Sequence, residues 1–168
     1  MAPTANSGTA SLTLPTDEQI LITREFDAPK ELVYKAWTTP ELVKRWWHAN
    51  RGEIKSVEID LRVGGRWRYV METPDGLEVG FHGEYREIVP NELLVSTETY
   101  EGLPEGVSEE NGTTLNTATF TEKDGRTTVT LLVQAPNKTS RDAIIDSGME
   151  GGLQDALDLL EEVAQSLR

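Results

Sequence analysis

Apolar residues recur at every second position through most of the chain and at every third or fourth position near its end. From Ile20 to Phe26, one side of an alternation has Ile20, Ile22, Arg24 and Phe26, and the other has Leu21, Thr23 and Glu25. This period predicts a strand with one buried face. Later runs are separated by turn sequences such as Gly64-Gly65 and Asp124-Gly125, which favour antiparallel hairpins. These runs predict strands near residues 53–62, 65–73, 78–89, 92–100, 113–122 and 126–134.

Two proline-marked helix starts follow the first strand. Pro29 and the Thr39-Pro40-Glu41 sequence each place a proline in a first helical turn, where its missing N–H has no intrahelical partner to lose. These signals predict short helices over residues 30–37 and 41–46.

After Pro136 the apolar period becomes that of an α-helix. Ile145, Met149, Leu153 and Leu160 follow one face, which predicts a single long C-terminal helix. A series of strands followed by one long helix indicates the α+β class.

Three glycines, Gly148, Gly151 and Gly152, fall inside this predicted helix. Each costs about 0.8 to 1 kcal/mol relative to alanine in a helix interior, so they need a compensating reason. Either the sheet packs unusually close to the helix there, or the missing side chains open cavity volume beside it.

Length and composition are typical of one domain with a sizeable core. The 168 residues fit a single domain over residues 18–168, preceded by a disordered lead-in over residues 1–17 that lacks the basic start and apolar run of a signal peptide. The net charge of −13 repels phosphate backbones and anionic headgroups, so we expect binding to neither nucleic acid nor membrane. The chain has no cysteine, which is compatible with the cytoplasm and excludes thiolate chemistry.

Several motifs resemble those of the activator of Hsp90 ATPase homologue 1-like (AHSA1-like) family, a branch of the START/Bet v 1-like (SRPBCC, helix-grip) superfamily. The first is the stretch from Ile20 to Trp47, in which a strand passes through Asp-Ala-Pro into two short helices and ends on paired tryptophans. The others, in matching order, are Asp60-Leu61-Arg62-Val63-Gly64-Gly65, Pro74-Asp75-Gly76, Gly83-Glu84-Tyr85 through Val89-Pro90, and Gly148-Met149-Glu150-Gly151-Gly152-Leu153.

The resemblance covers about residues 18–168 and implies a helix-grip fold. That fold is a curved antiparallel sheet with two short helices after its first strand and a long C-terminal helix packed across it. It also implies a cavity between the sheet, the long helix and the short helix pair. Activities in this superfamily are diverse, so the fold alone does not supply the chemistry.

Large aromatic residues concentrate on predicted inner faces, such as Trp67 and Tyr69 on one strand and Phe81 and Tyr85 on the next. They are either ordinary core or the lining of a ligand pocket, and the resemblance favours a pocket. The predicted pocket consists of Trp37, Trp46, Trp47, Trp67, Tyr69, Met71, Phe81, Tyr85, Met149, Gly152, Leu153 and Ala156.

Four polar residues, Arg66, His48, His82 and Glu84, are candidate polar groups of this pocket. The two histidines have no second ligand at a metal-type spacing, and no nucleophile elbow, P-loop or dinucleotide fingerprint occurs. The sequence therefore predicts no catalytic residue, no metal and no cofactor.

Three functions fit these features. The leading hypothesis is a soluble binding protein that holds a small hydrophobic or amphipathic ligand between the sheet and the C-terminal helix. The second, implied by the resemblance, is a regulator that interacts with a chaperone ATPase of the Hsp90 type. The third is a cyclase, dehydratase or hydrolase that uses acid and base residues of the pocket. A homodimer is compatible with each of them.

Overall fold

Strands of the described part of the chain, residues 10–102 and 112–168 of a computed structural model, form one eight-stranded antiparallel sheet. Its spatial order is β1-β2-β8-β7-β6-β5-β4-β3, so the last strand, β8, lies beside the N-terminal strand β2. The strands are β1 (Ser11–Thr13), β2 (Gln19–Phe26), β3 (Glu53–Ile59), β4 (Arg66–Glu72), β5 (Glu78–Val89), β6 (Leu93–Tyr100), β7 (Thr113–Lys123) and β8 (Arg126–Gln134).

Helices cover one face of this sheet. They are α1 (Lys30–Thr38), α2 (Pro40–Val43), α3 (Lys138–Asp146) and α4 (Met149–Ser166). The apolar stripe of α4, which includes Leu157, Leu160 and Val163, packs into one core cluster with Val33 of α1 and Phe120 of β7. This arrangement confirms the α+β helix-grip fold that the alternation and the resemblance predict.

The C-terminal helix predicted as one piece is two helices, which corrects the prediction from periodicity. α3 ends at Asp146, and Gly148 adopts a left-handed conformation with φ of 83° before α4 begins. Glycine adopts this conformation without the steric cost that a Cβ atom brings. The apolar spacing continues through the break, so periodicity alone does not reveal it. At the other end of α3, the Asn137 side chain caps the helix by accepting from the Ser140 backbone N–H at 2.8 Å.

The predicted disordered lead-in over residues 1–17 also needs correction. Ser11–Thr13 forms β1 and pairs with β2, with Leu12 opposite Ile22. Leu12 packs against a small apolar cluster that includes Ile20 and Val133, which gives this segment a reason to be ordered. Residues 1–9 of the predicted lead-in lie outside the described residues.

Candidate ligand cavity

A cavity of about 430 Å³ lies between the inner face of the sheet, α4 and the segment that follows α1. The structure brings all twelve predicted pocket residues to its wall: Trp37, Trp46, Trp47, Trp67, Tyr69, Met71, Phe81, Tyr85, Met149, Gly152, Leu153 and Ala156. The alternation along β4 and β5 explains this grouping, because Tyr69 stands opposite Phe81 in the register and both point to the same face. The space is within the range of small-molecule sites.

One wall of the cavity is a cluster of aromatic rings. The Trp47 ring meets Tyr69 at 5.3 Å and Phe81 at 5.8 Å between centroids, both in edge-to-face geometry. Trp67 and Tyr69 lie 4.8 Å apart. Such contacts hold the rings in fixed orientations, so the wall is pre-formed.

Gly83 on β5 makes room for the Trp67 indole. The Trp67 Nε1–H donates to the Thr97 carbonyl at 3.2 Å, across the strand that lies between them. A Cβ atom on Gly83 would stand 1.8 Å from that carbonyl oxygen and 2.7 Å from the indole nitrogen. The glycine is therefore required by this hydrogen bond, which fixes one ring of the wall.

The glycines of α4 border open space, which decides between the two interpretations of their helix. A Cβ atom added at Gly152 would meet no atom within 4 Å, and one at Gly151 would meet only the Arg51 guanidinium at 3.6 Å. The sheet therefore does not press against α4 at these positions. Gly152 lines the cavity, so its missing side chain adds directly to the cavity volume.

Of the four predicted polar groups, only His48 lines the cavity. His82, Glu84 and Arg66 instead line a cleft on the opposite face of the sheet, which corrects their assignment. Their strands alternate, and the aromatic residues beside them in sequence take the inner face, so these polar neighbours must point outward.

In that outer cleft, Glu101 accepts from Arg68 and lies 2.8 Å from the Nδ1 atom of His82. Hydrogen bonds from Arg68, supported by His82, lower the pKa of Glu101 to about 2. This cluster belongs to the surface of the sheet and not to the cavity.

The sequence analysis does not predict four polar residues of the cavity wall: Arg51, Ser96, Glu98 and Asn116. Ser96 and Glu98 follow Leu94 at two-residue spacing on β6, and that spacing places all three on the inner face. This spacing from Leu94 could have placed Ser96 and Glu98 on the inner face. However, a polar residue in an alternating strand is expected to face solvent.

Glu98 is the carboxyl group of this wall. Burial raises its pKa, and a hydrogen bond from Asn116 partly opposes that effect. Tyr69 lies near it: burial raises the pKa of the Tyr69 phenol well above its usual value, with smaller contributions from Tyr85 and Glu98. Burial likewise raises the pKa of Tyr85. Glu98 and the two phenols therefore form one polar group within an aromatic wall.

Arg51 marks the side of the cavity that reaches solvent, since its side chain is 49% exposed while also lining the cavity. Its guanidinium donates to Asp155 of α4 at 2.7 Å. The preceding Ala49 and Asn50 both have positive φ angles, 50° and 59°. This turn brings the segment after α2 back over the cavity and ties it to α4.

A helix-grip fold around an aromatic cavity defines the class of protein, and the sequence defines the family. The sequence pattern of the family described as activator of Hsp90 ATPase homolog 1-like protein matches residues 27–165. The chain belongs to this family, as its motifs indicate. No curated protein matches it.

Solved structures of similar fold come from several bacteria. A protein of Rhodobacter sphaeroides has a TM-score of 0.84 at 23% identity, with 94% of this chain and 99% of that chain covered. A protein of Nitrosomonas europaea has a TM-score of 0.80 at 22% identity, with 92% and 98% covered. An AHSA1-like protein of Aeromonas hydrophila has a TM-score of 0.62 at 21% identity, with 88% and 93% covered. At these identities the likeness shows the fold.

Residues 10–102 and 112–168 also bear on membrane insertion and metal binding. None of their helices is both long and apolar enough to cross a membrane. No group of three or more metal-ligating side chains comes together among them.

Proposed function

We propose that this chain is a binding protein that holds one small hydrophobic or amphipathic molecule in the cavity between the sheet and α4. The observation that carries the proposal is the space beside Gly152. This helix position has no side chain, and the space beside it is part of the cavity that the aromatic wall lines. Apolar surface exposed to water along such a wall costs about 25 cal/mol per Å². A bound molecule would recover that cost.

We expect the ligand to be largely apolar, with a small polar part. The wall combines four tryptophans with Tyr69, Phe81 and Tyr85 and only a few polar groups. Aromatic walls of this composition suit flat or branched apolar molecules, and a few polar groups fix their orientation. The absence of cysteine supports a cytoplasmic location as part of the same proposal.

A thermal-shift screen with fatty acids, sterols, flavonoids and polyketide-like aromatics tests the proposal. A ligand at 100 times its dissociation constant adds about 2.7 kcal/mol to the free energy of unfolding. The matched variants are Gly152→Leu, which places a side chain in the cavity, and Gly151→Leu, whose position is exposed on the same helix. We expect the shift in wild type and Gly151→Leu and its loss in Gly152→Leu. If no ligand class stabilises the wild-type protein, the proposal is wrong.

A second candidate function is interaction with a chaperone ATPase, and the observation that favours it is membership of a family named for activators of Hsp90 ATPase. A pull-down followed by an ATPase assay with and without this chain tests it. A rate that does not change with added chain rejects stimulation.

A third candidate is acid–base catalysis on the bound molecule, which Glu98 and the two buried phenols favour. Incubation of each stabilising ligand with the protein, followed by mass spectrometry, tests it. Recovery of every ligand unchanged rejects turnover of that panel.

A further inference from the structure

Glu98 is a carboxyl group placed where an aromatic cavity offers it little solvation. It lies on β6 opposite Thr114 of β7 and lines the cavity with Ser96 of the same strand. Among the described residues no lysine, arginine or histidine forms an ion pair with it. A carboxyl group in such a site is more easily kept neutral than charged.

Hydrogen bonds orient the side chains beside Glu98. The Thr114 hydroxyl donates to the Asn116 Oδ1 atom at 2.8 Å. Because that bond occupies the Asn116 carbonyl side, its amide nitrogen is the group that donates to Glu98. The Asn116 amide is therefore a donor to Glu98, whose carboxyl group also lines the cavity.

We propose that Glu98, as a neutral acid, donates a hydrogen bond to a carbonyl oxygen of the bound molecule. This inference rests on the proposed function and adds the ligand class to it: flat apolar molecules with an uncharged acceptor, such as aromatic ketones. The hydroxyls of Tyr69 and Tyr85, on the same wall, supply further donors. An anionic end is disfavoured next to Glu98 and is better placed at the half-exposed Arg51 guanidinium.

Other titratable groups face this part of the cavity. They are Tyr69 on β4, Tyr85 on β5 with Tyr34 of α1 near it, and His48 and Arg51 on the segment after α2. α4 adds only apolar residues to the described wall. Since the acid form donates, affinity for a carbonyl ligand is present at low pH and falls as the pH rises through the pKa of Glu98. The raised pKa of Glu98 moves this fall toward neutral pH.

Fluorene and 9-fluorenone are suitable probes, because they share a ring framework and differ by one carbonyl oxygen. Their dissociation constants are measured by tryptophan fluorescence from about pH 4 to about pH 9, a range that begins near the usual carboxyl pKa and extends well above it. At the acidic end, we expect the wild-type protein to bind fluorenone about 5- to 10-fold more tightly than fluorene, which is the effect of one added hydrogen bond. This preference should fall as the pH rises. Glu98→Gln keeps the preference without its pH dependence, because a carboxamide also donates. Glu98→Leu loses the preference.

A second measurement requires no variant. With ¹³C-labelled glutamate carboxyl groups, the NMR titration of Glu98 should move to higher pH when fluorenone is bound and not when fluorene is bound, because the ligand favours the acid form. Equal affinities of the two probes in the wild-type protein, or a Glu98 titration unchanged by fluorenone, overturn the inference. In that case fluorene binding still supports the cavity as a host, whereas binding of neither probe rejects both proposals for this ligand class.

Discussion

The Arg24 guanidinium on β2 donates to the Asp158 carboxylate on α4 at 2.8 Å, although Arg24 is 1% exposed. The same guanidinium donates to the Leu157 carbonyl at 3.2 Å and lies 4.4 Å above the Phe26 ring. Glu161 approaches it at 3.6 Å. These contacts fix the middle of α4 to the sheet, while the first two turns of the helix border the cavity. The cavity thus has one firmly held wall.

Removing both acidic partners of Arg24 should destabilise the protein strongly. In Asp158→Asn/Glu161→Gln, the buried Arg24 cation loses both carboxylates that approach it, and the loss of such a partner costs about 3 to 5 kcal/mol. Chemical denaturation measures the free energy of unfolding. The control is Glu25→Gln, which breaks the more exposed pair of Glu25 with Arg126 and should cost at most about 1 kcal/mol. Equal effects of the two changes would show that Arg24 does not hold α4.

Alanine substitutions at the three glycines near the start of α4 should change the free energy of unfolding in different directions. Gly151→Ala and Gly152→Ala place a better helix former where space is open, so each should raise the free energy of unfolding by about 0.8 to 1 kcal/mol. Gly148→Ala should lower it by about 1 to 2 kcal/mol, because its φ of 83° is costly for a residue with a Cβ atom. Thermal and denaturant unfolding check all three. A stabilising Gly148→Ala would contradict the break between α3 and α4.

The ion pair of Arg51 with Asp155 should control ligand exchange more than stability. Both side chains are about half exposed, so Asp155→Asn should cost no more than about 1 kcal/mol. Because the pair ties the segment after α2 to α4 at the solvent side of the cavity, its loss should speed both association and dissociation of a ligand. Stopped-flow fluorescence measures these rates. Unchanged rates would show that ligands enter elsewhere.

Glu98→Gln should stabilise the ligand-free protein at alkaline pH and not at acidic pH. The pKa of Glu98 is raised in the folded state, so the wild-type protein has its full stability below the usual carboxyl pKa and loses part of it as pH rises through the folded value. A neutral carboxamide avoids that loss. Denaturant unfolding across the pH range checks the sign.

Glu101→Gln is the control of opposite sign. The pKa of Glu101 is lowered to about 2, so its contribution is present above the usual value of 4.5 and is lost as pH falls toward 2. This variant should therefore be less stable than wild type at neutral pH and equal to it in strong acid. The same direction for both variants would contradict the placement of Glu98 in the cavity and Glu101 outside it.

Period-two alternation was sufficient to predict the strands and to place Trp67, Tyr69 and Phe81 on one face, because large apolar residues identify the buried side directly. Glu98 was missed for the converse reason. A carboxyl group in an alternating strand is expected to face solvent, and only the completed fold shows that its face is the inner one.

Two other differences between the predicted and the observed structure arise from conformations that an apolar pattern does not encode. Gly148 breaks the helix by its left-handed φ without interrupting the apolar spacing on either side. β1 is ordered by contacts with residues far along the chain, including two hydrogen bonds between the Gln154 side chain and the Ala10 backbone. Such long-range contacts are set by the tertiary fold and are not visible in a local sequence window.

The most direct test of the cavity as a host uses its own tryptophans, because all four in the chain line it. With 5-fluorotryptophan incorporated, ¹⁹F NMR gives one resonance for each of Trp37, Trp46, Trp47 and Trp67, assigned by single Trp→Phe variants. We expect titration with a stabilising hydrophobic ligand to shift the Trp47 and Trp67 resonances saturably. The shift should persist in Gly151→Leu and vanish in Gly152→Leu. A ligand that binds while all four resonances stay in place would show that the cavity is not its site.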